Sequence, residues 1–406
     1  MVDSRVGPIA APVRKHNWLQ YLSLGFVLFG ALVRLVQYLS NRSLWSDEAM
    51  LALNIVNRSY QELIQPLDYN QAAPLGFLWI EKLAVQLLGN NEYALRFFPL
   101  ISGIAALGIV YLLSNRYLSA VGVPIAVALF ASLHYLVYYT TEVKQYSSDV
   151  MIALLLWFVL VPHWQQLLNR KQTILLGLLG AAAIWVSHPT VLMLAAIETS
   201  CFLITTHPQR LKILINRLPL YLAWLASFIC FYWLTIRSTL ENESLTSSWN
   251  KRYPDSLLDF PWLFKALDRF FSNPLGFSEI TDGIAMFAFI VGCIALYRRN
   301  RLLLLTFTAP FMITLVLSYL HQYPFRQRLV LFLVPFAILI IAEGIAALIT
   351  LPRRHSKVIL AIGTFVFVTL LVPAVVQSSQ LLAYPEKVEE IRPVMAYIQT
   401  HQQPDD

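Results

Sequence analysis

Charge is scarce in this chain. Asp, Glu, Lys and Arg make up only 13% of its 406 residues, about half the share of a soluble domain, which excludes an ordinary water-soluble globule. Cysteine is scarce too. Cys201, Cys230 and Cys293 all lie in apolar runs without disulfide, metal or redox spacing, and read as packing residues. Internal repeats and low-complexity stretches are missing, and glycine and proline cluster nowhere as a linker, so no second domain is marked off. What is present is apolar: 57% hydrophobic residues and a mean hydropathy of +0.60. These residues come in runs of about 20, the length of a transmembrane helix, rather than in the alternation of barrel strands. The expected fold is all-α and polytopic.

Runs able to cross a bilayer fall near 18–39, 94–114, 120–139, 147–162, 172–188, 189–206, 218–236, 281–297, 302–320, 328–350 and 357–376. The run 74–89 is short and carries Glu81 and Lys82 in its middle, so it is expected as an amphipathic helix on the membrane surface. Loop charge supports that choice. With the N-terminus inside and 74–89 uncounted, the cytoplasmic segments hold half of the 30 Lys and Arg but a single acid, Asp3. The clusters Arg210/Lys212/Arg217, Arg298/Arg299/Arg301 and Arg353/Arg354/Lys357 all fall on that side, as the positive-inside rule demands. The net charge of +7 is thereby explained without nucleic acid. The working topology is about eleven spans, with residues 1–17 cytoplasmic, a membrane domain over 18–376, and an outer-face tail over 377–406. Two large outer segments stand out, 40–93 with surface helices and 237–280, rich in aromatics and charge. The N-terminal apolar run is too long for a signal peptide and is read as an uncleaved span.

The polar residues gather on the outer face. Asp47 and Glu48 follow the first span in Leu44-Trp45-Ser46-Asp47-Glu48-Ala49. They suit either a general base or cation ligand, or the opening of a helix at Ala49-Met50-Leu51. Thr141 to Asp149 is a dense polar turn in which Lys144 and Tyr146 suit a phosphate, or else interfacial anchoring. His321-Gln322-Tyr323-Pro324-Phe325-Arg326-Gln327-Arg328 puts two arginines on the face where the bias disfavours them, and Arg grips phosphate bidentately. Arg96 at the start of the second span and Arg34 near the outer end of the first are weaker signals of the same kind. His188, beside Pro189, is more often a structural residue than a ligand. Glu198 and Glu343 lie away from this cluster and are expected in interhelical contacts.

The order of these motifs resembles the GT-C glycosyltransferases, in particular bacterial relatives of protein O-mannosyltransferases and lipid A aminoarabinose transferases. The resemblance rests on Asp47-Glu48 after the first span, Gln71-Ala72-Ala73-Pro74-Leu75 opening a surface helix, and Gly89-Asn90-Asn91-Glu92-Tyr93-Ala94-Leu95-Arg96. Glu142-Val143-Lys144-Gln145-Tyr146-Ser147 and Tyr323 to Arg328 extend it over nearly the whole chain. It implies an inverting transferase using a polyprenyl-phosphate sugar, at the outer (periplasmic) face of a bacterial inner membrane, with an envelope glycan, lipid or protein as acceptor. Asp47 is then the catalytic base and Glu48 its neighbour in the site. Arg96, Lys144, Tyr146, Arg326 and Arg328 become donor-phosphate contacts, and Arg34, His188 and His321 further candidates. Two departures matter. Aminoarabinose transferases carry Glu-Lys-Pro where this chain has Gln71-Ala72-Ala73, so no cofactor is certain, and a divalent cation, if any, falls to Asp47 and Glu48. Relatives also continue past the last span, so a shortened chain is expected.

Two other function classes compete with an enzyme. A lipid-linked sugar transporter or flippase would show repeats and charged sites at mid-membrane, and the gathering of polar residues at one face disfavours it. A non-catalytic scaffold gains only from the short C-terminus.

Overall fold

The computed structural model describes residues 17–164, 166–205, 207–240, 252–350 and 357–401. Residues 1–16 of the expected cytoplasmic N-terminus (1–17) and the Arg353/Arg354 pair lie outside the described residues. Within them the chain is helical, with no strand. Among the described residues, eight helices are long and apolar enough to cross a membrane, and the pair Gly122–Ser132 and His134–Thr141, bent by 62°, makes a ninth if taken as one span. The runs expected at 172–188 and 189–206 form helices of 17 and 15 residues. The expected count of eleven therefore depends on those two short helices and on the bent pair. The chain is a multi-pass membrane protein.

Helix α1 (Asn17–Leu39) shows how such a sequence folds. Leu24, Leu28, Leu32, Leu35 and Leu39 recur every three or four residues and are all exposed, a stripe that lipid covers. The opposite stripe, with Gly30, Val33, Arg34 and Gln37, is buried. By contrast, Val334–Thr350 is apolar on every side except at Glu343 and is buried from Val334 to Ala346, so it runs through the centre of the bundle. Its Gly344 faces Gly292 on the helix Glu279–Arg299. A Cβ at Gly344 would lie 2.0 Å from the Ala288 carbonyl, and one at Gly292 would lie 1.9 Å from that of Ile340. Small residues permit this backbone contact, which lipid-embedded helices use in place of a hydrophobic driving force. Glu198 and Glu343 are interhelical contacts. Glu198 accepts from Arg217 and Tyr221, each at 2.6 Å, and Glu343 binds Arg299 and the Ser119 N–H.

The first outer segment holds α2 (Ser46–Asn57), two 3₁₀ turns and α3 (Leu75–Leu88) before α4 (Glu92–Tyr117). The surface-helix expectation for α3 holds only in part. Lys82 reaches the carbonyls of Ile55 and Val56 at 3.1 Å, tying down the end of α2. Glu81 instead points inward, buried and with neither oxygen bonded among the described residues. Burial holds its carboxyl well above the ordinary value, so it is carried as the neutral acid.

In the second outer segment, the helix Phe260–Ser272 is amphipathic. Ala266, Phe270 and Phe271 are buried, while Phe260 and Phe264 are exposed. The last long helix, Lys357–Ala383, runs beyond the expected end at 376. The chain then returns to the first outer segment. The Glu386 N–H donates to Gln37 at 2.9 Å, the Ser46 N–H to Glu389 at 3.3 Å, and Arg392 pairs with Glu92 at 2.6 Å.

Candidate active site

Asn41, at φ 47°, turns the chain sharply out of α1, a left-handed conformation that Asn tolerates. The loop then delivers Arg42, Trp45 and the first turn of α2. Glu48 sits inside this turn, fully buried. Arg96 grips it with Nε at 3.1 Å from Oε1 and Nη2 at 2.9 Å from Oε2. Arg42 adds a second guanidinium at 3.2 Å, and the N–H of Val143 donates at 2.9 Å. Glu48 also accepts from the Trp45 N–H at 3.4 Å, closing the start of α2. One carboxylate thus ties together α2, α4, the loop after α1 and the polar turn after Thr141. Glu48, expected beside the base as its neighbour in the site, is thus buried and engaged within the protein. Arg96 is corrected with it. Its Nη1 donates to the Arg42 carbonyl at 2.7 Å and its Nη2 to that of Ser43, so the guanidinium is engaged inside the protein rather than offered to a phosphate.

Asp47 points the other way. Consecutive helical residues are separated by about 100°, and Asp47 emerges on the open side of α2, partly exposed. Lys144 Nζ lies 3.1 Å from Oδ1 and Arg328 Nη1 lies 2.9 Å from Oδ2. Gln71 donates to Oδ1 at 3.2 Å and accepts from Lys144 at 2.6 Å. Burial alone would raise the Asp47 carboxyl, but the charges of Lys144 and Arg328, with hydrogen bonds from Lys144 and Gln71, hold it below the ordinary value. Burial outweighs Asp47 at Lys144 and lowers its ammonium. The Arg328 guanidinium lies over the Tyr146 ring at 5.4 Å, a cation–π contact that fixes its orientation. Residues from four separated segments, 47, 71, 144 and 328, therefore meet at one carboxylate.

A third carboxyl backs this cluster. Glu142 accepts from the Trp45 indole at 2.7 Å and from the Tyr138 hydroxyl at 3.1 Å, both on Oε1. Burial, with the Glu48 charge next, pushes it up to about 7 against the Trp45 hydrogen bond and the arginines.

The remaining candidates are dispersed. Arg34 is wholly buried and donates to the carbonyls of Ala131 and Phe130 at 3.1 Å and of Leu136 at 3.3 Å. These belong to the bend at Leu133, so Arg34 supplies the partners that a broken helix lacks and does not enter the Asp47 cluster. His188 packs against Phe231, centroids 5.7 Å apart. His321 stacks on Tyr253 at 4.9 Å, its Nε2 at 2.9 Å from the Pro254 carbonyl. Arg326 lines a cavity that Arg328 does not, and Gln327 between them is left-handed at φ 47°. Sequence reasoning missed Gln71 and Arg42. Gln71 was noted only as a departure from a motif, and Arg42 carried the same signal as Arg326, an outer-face arginine against the charge bias.

A divalent cation does not fit this donor set. Both Asp47 oxygens face cations, Glu48 is held by two arginines, and among the described residues no three His, Cys, Asp or Glu side chains converge.

Residues 72–235 match the family described as dolichyl-phosphate-mannose-protein mannosyltransferase. That stretch contains Arg96, Glu142 and Lys144 but neither Asp47 nor Arg328. No curated protein matches the chain in sequence. Among solved structures it resembles ArnT from Cupriavidus metallidurans. In the apo state the TM-score is 0.53 at 12% identity, covering 88% of this chain and 74% of that one. With undecaprenyl phosphate bound it is 0.52 at 14% identity, covering 88% and 72%. It also resembles the archaeal oligosaccharyltransferase AglB from Archaeoglobus fulgidus in complex with an inhibitory peptide and a dolichol-phosphate, at a TM-score of 0.50 and 12% identity. This chain has the GT-C fold. The AglB alignment covers 95% of this chain but 58% of AglB, so the chain spans less than two thirds of that relative's length. Identities this low carry the GT-C architecture, and what the site does has to be argued from its own residues.

Proposed function

We propose that the chain is a membrane glycosyltransferase that moves a sugar, hexosyl or pentosyl, from a polyprenyl-phosphate donor to an envelope glycan, lipid or protein. The reaction takes place at the outer, periplasmic face of a bacterial inner membrane and inverts the anomeric centre. One observation carries this reading: Asp47 is an ionised, partly open carboxylate held by Lys144, Arg328 and Gln71, while its neighbour Glu48 is locked away. In the proposed step an acceptor hydroxyl attacks the anomeric carbon and passes its proton to Asp47. The bond from that carbon to the phosphate oxygen breaks on the opposite face, and the phosphate leaves with the electron pair. Lys144 and Arg328 keep Asp47 ionised and aimed. Glu48, Arg42 and Arg96 fix the turn that carries it. The fold relatives carry bound undecaprenyl phosphate and dolichol-phosphate, which supports a lipid-phosphate donor here.

The test is genetic and chemical. A strain lacking the gene is complemented with wild type or Asp47→Asn, and its envelope glycans and lipids are compared by mass spectrometry. A sugar lost on deletion should return with wild type alone. Full rescue by Asp47→Asn would sink the base assignment, and accumulation of an unflipped lipid-linked precursor would make the chain a transporter.

A further inference from the structure

Away from Asp47, the second outer segment and the turn at Arg326 enclose a cavity of ≈ 300 Å³. Among the described residues, Arg252, Lys265, Arg269 and Arg326 line it and no carboxylate does. Among the described residues none of these four pairs with an acid, whereas Arg328, two residues from Arg326, is paired with Asp47. Four unneutralised cations around one small volume repel each other at a cost that an anion removes. Burial, and then the charges of Arg252 and Arg269, lower the Arg326 guanidinium.

The cavity is built rather than incidental. Lys265 and Arg269 are one turn apart on the helix Phe260–Ser272, so they present a two-pronged basic face. The Trp262 indole donates to the Arg252 carbonyl at 3.0 Å, and Tyr319 donates to the Asp259 carbonyl at 3.0 Å, fixing both ends of the wall. Phe270 packs on Phe325 at 5.9 Å behind it. Beside the basic face, Leu257, Leu258, Phe260 and Phe264 are between 56% and 75% exposed. A surface that is cationic within and apolar at its edge fits a charged head on a hydrocarbon chain.

We propose that this cavity, formed by Arg252, Lys265, Arg269 and Arg326, binds a multiply charged phosphate or diphosphate head of a membrane-anchored lipid. It is an anion site separate from the Asp47 cluster. The left-handed Gln327 stands between Arg328, which reaches Asp47, and Arg326, which lines the cavity. The head belongs either to the sugar donor or to a phosphorylated lipid acceptor. In naming these two sources the inference rests on the transferase reading, but anion binding itself is measured without turnover and stands or falls alone.

The experiment uses the full chain in lipid nanodiscs, with inorganic pyrophosphate as the probe in calorimetric titrations. Lys265 and Arg269 are exposed, so K265Q/R269Q should fold, which its melting curve checks. Wild type should bind, K265Q/R269Q about tenfold or more weakly, and Arg328→Gln within about twofold of wild type. Binding unchanged in K265Q/R269Q, or weakened as much in Arg328→Gln, overturns the site. A second arm preloads the nanodiscs with polyprenyl phosphate or with a phosphorylated glycolipid. Competition by the first assigns the cavity to the donor and by the second to the acceptor. Competition by neither overturns a lipid occupant.

Discussion

Asp47 and Glu48 are neighbours in sequence with the same charge, and the fold treats them oppositely. Glu48 is fully buried, with two guanidiniums and two backbone N–H groups. Asp47 is partly open, with a lysine, an arginine and an amide that also belong to its surroundings. A buried ion pair leaves an uncompensated charge when one partner is removed, so Glu48 is expected to matter to stability. A partly open carboxylate can meet a substrate and exchange a proton, so Asp47 is expected to matter to chemistry. The comparison breaks if the two substitutions behave alike.

The largest effect is expected from Glu48→Gln. It leaves Arg42 and Arg96 buried without their counter-charge, a loss of about 3–5 kcal/mol, read as a lowered melting temperature and poor yield in detergent. A Glu48→Gln protein melting with wild type would remove the clamp from the account. Next comes Asp47→Asn, which should melt close to wild type and slow transfer by about 10²–10⁴. Arg328→Gln sharpens the contrast. The Asp47 carboxyl then returns upward, and the acid limb of the pH–rate profile should move to higher pH relative to wild type.

Glu142 gives a smaller effect with a defined sign. Its carboxyl is raised from 4.5 to about 7 in the folded protein. The stability this contributes is fully present below about 4.5 and is lost as pH rises through about 7. Melting temperature should therefore fall across that window in wild type and fall less in Glu142→Gln. Parallel curves would show that Glu142 is not carried protonated. The smallest effect belongs to Glu81→Gln. Glu81 is already neutral and unbonded, so the amide should change melting by less than a large-to-small core substitution does.

The helical fold was legible in the sequence because hydrocarbon thickness sets run length, and loop charge sets orientation. The convergence of Asp47, Lys144 and Arg328 was legible as three polar outer turns in a chain with little polar sequence elsewhere. What separated the candidates was not. Arg328 reaches Asp47 and Arg326 does not, and the Gln327 between them is left-handed, of which a glutamine gives no warning. Arg34 read as a further candidate because it lies near the outer end of the first span, yet its donors are used by the carbonyls of a bent helix. Glu81, with Lys82, pointed to a surface helix because charge at the bilayer centre is costly. The fold buries it as the neutral acid instead, which composition cannot show.

The central claim, that Asp47 takes the acceptor's proton, is tested most directly by release of polyprenyl phosphate from a polyprenyl-phosphate sugar. Membranes carrying wild type or Asp47→Asn are compared at equal amounts of protein with matched melting. Wild type should release the lipid phosphate, and Asp47→Asn should do so at least about a hundredfold more slowly. Equal rates from two equally folded proteins would contradict the account.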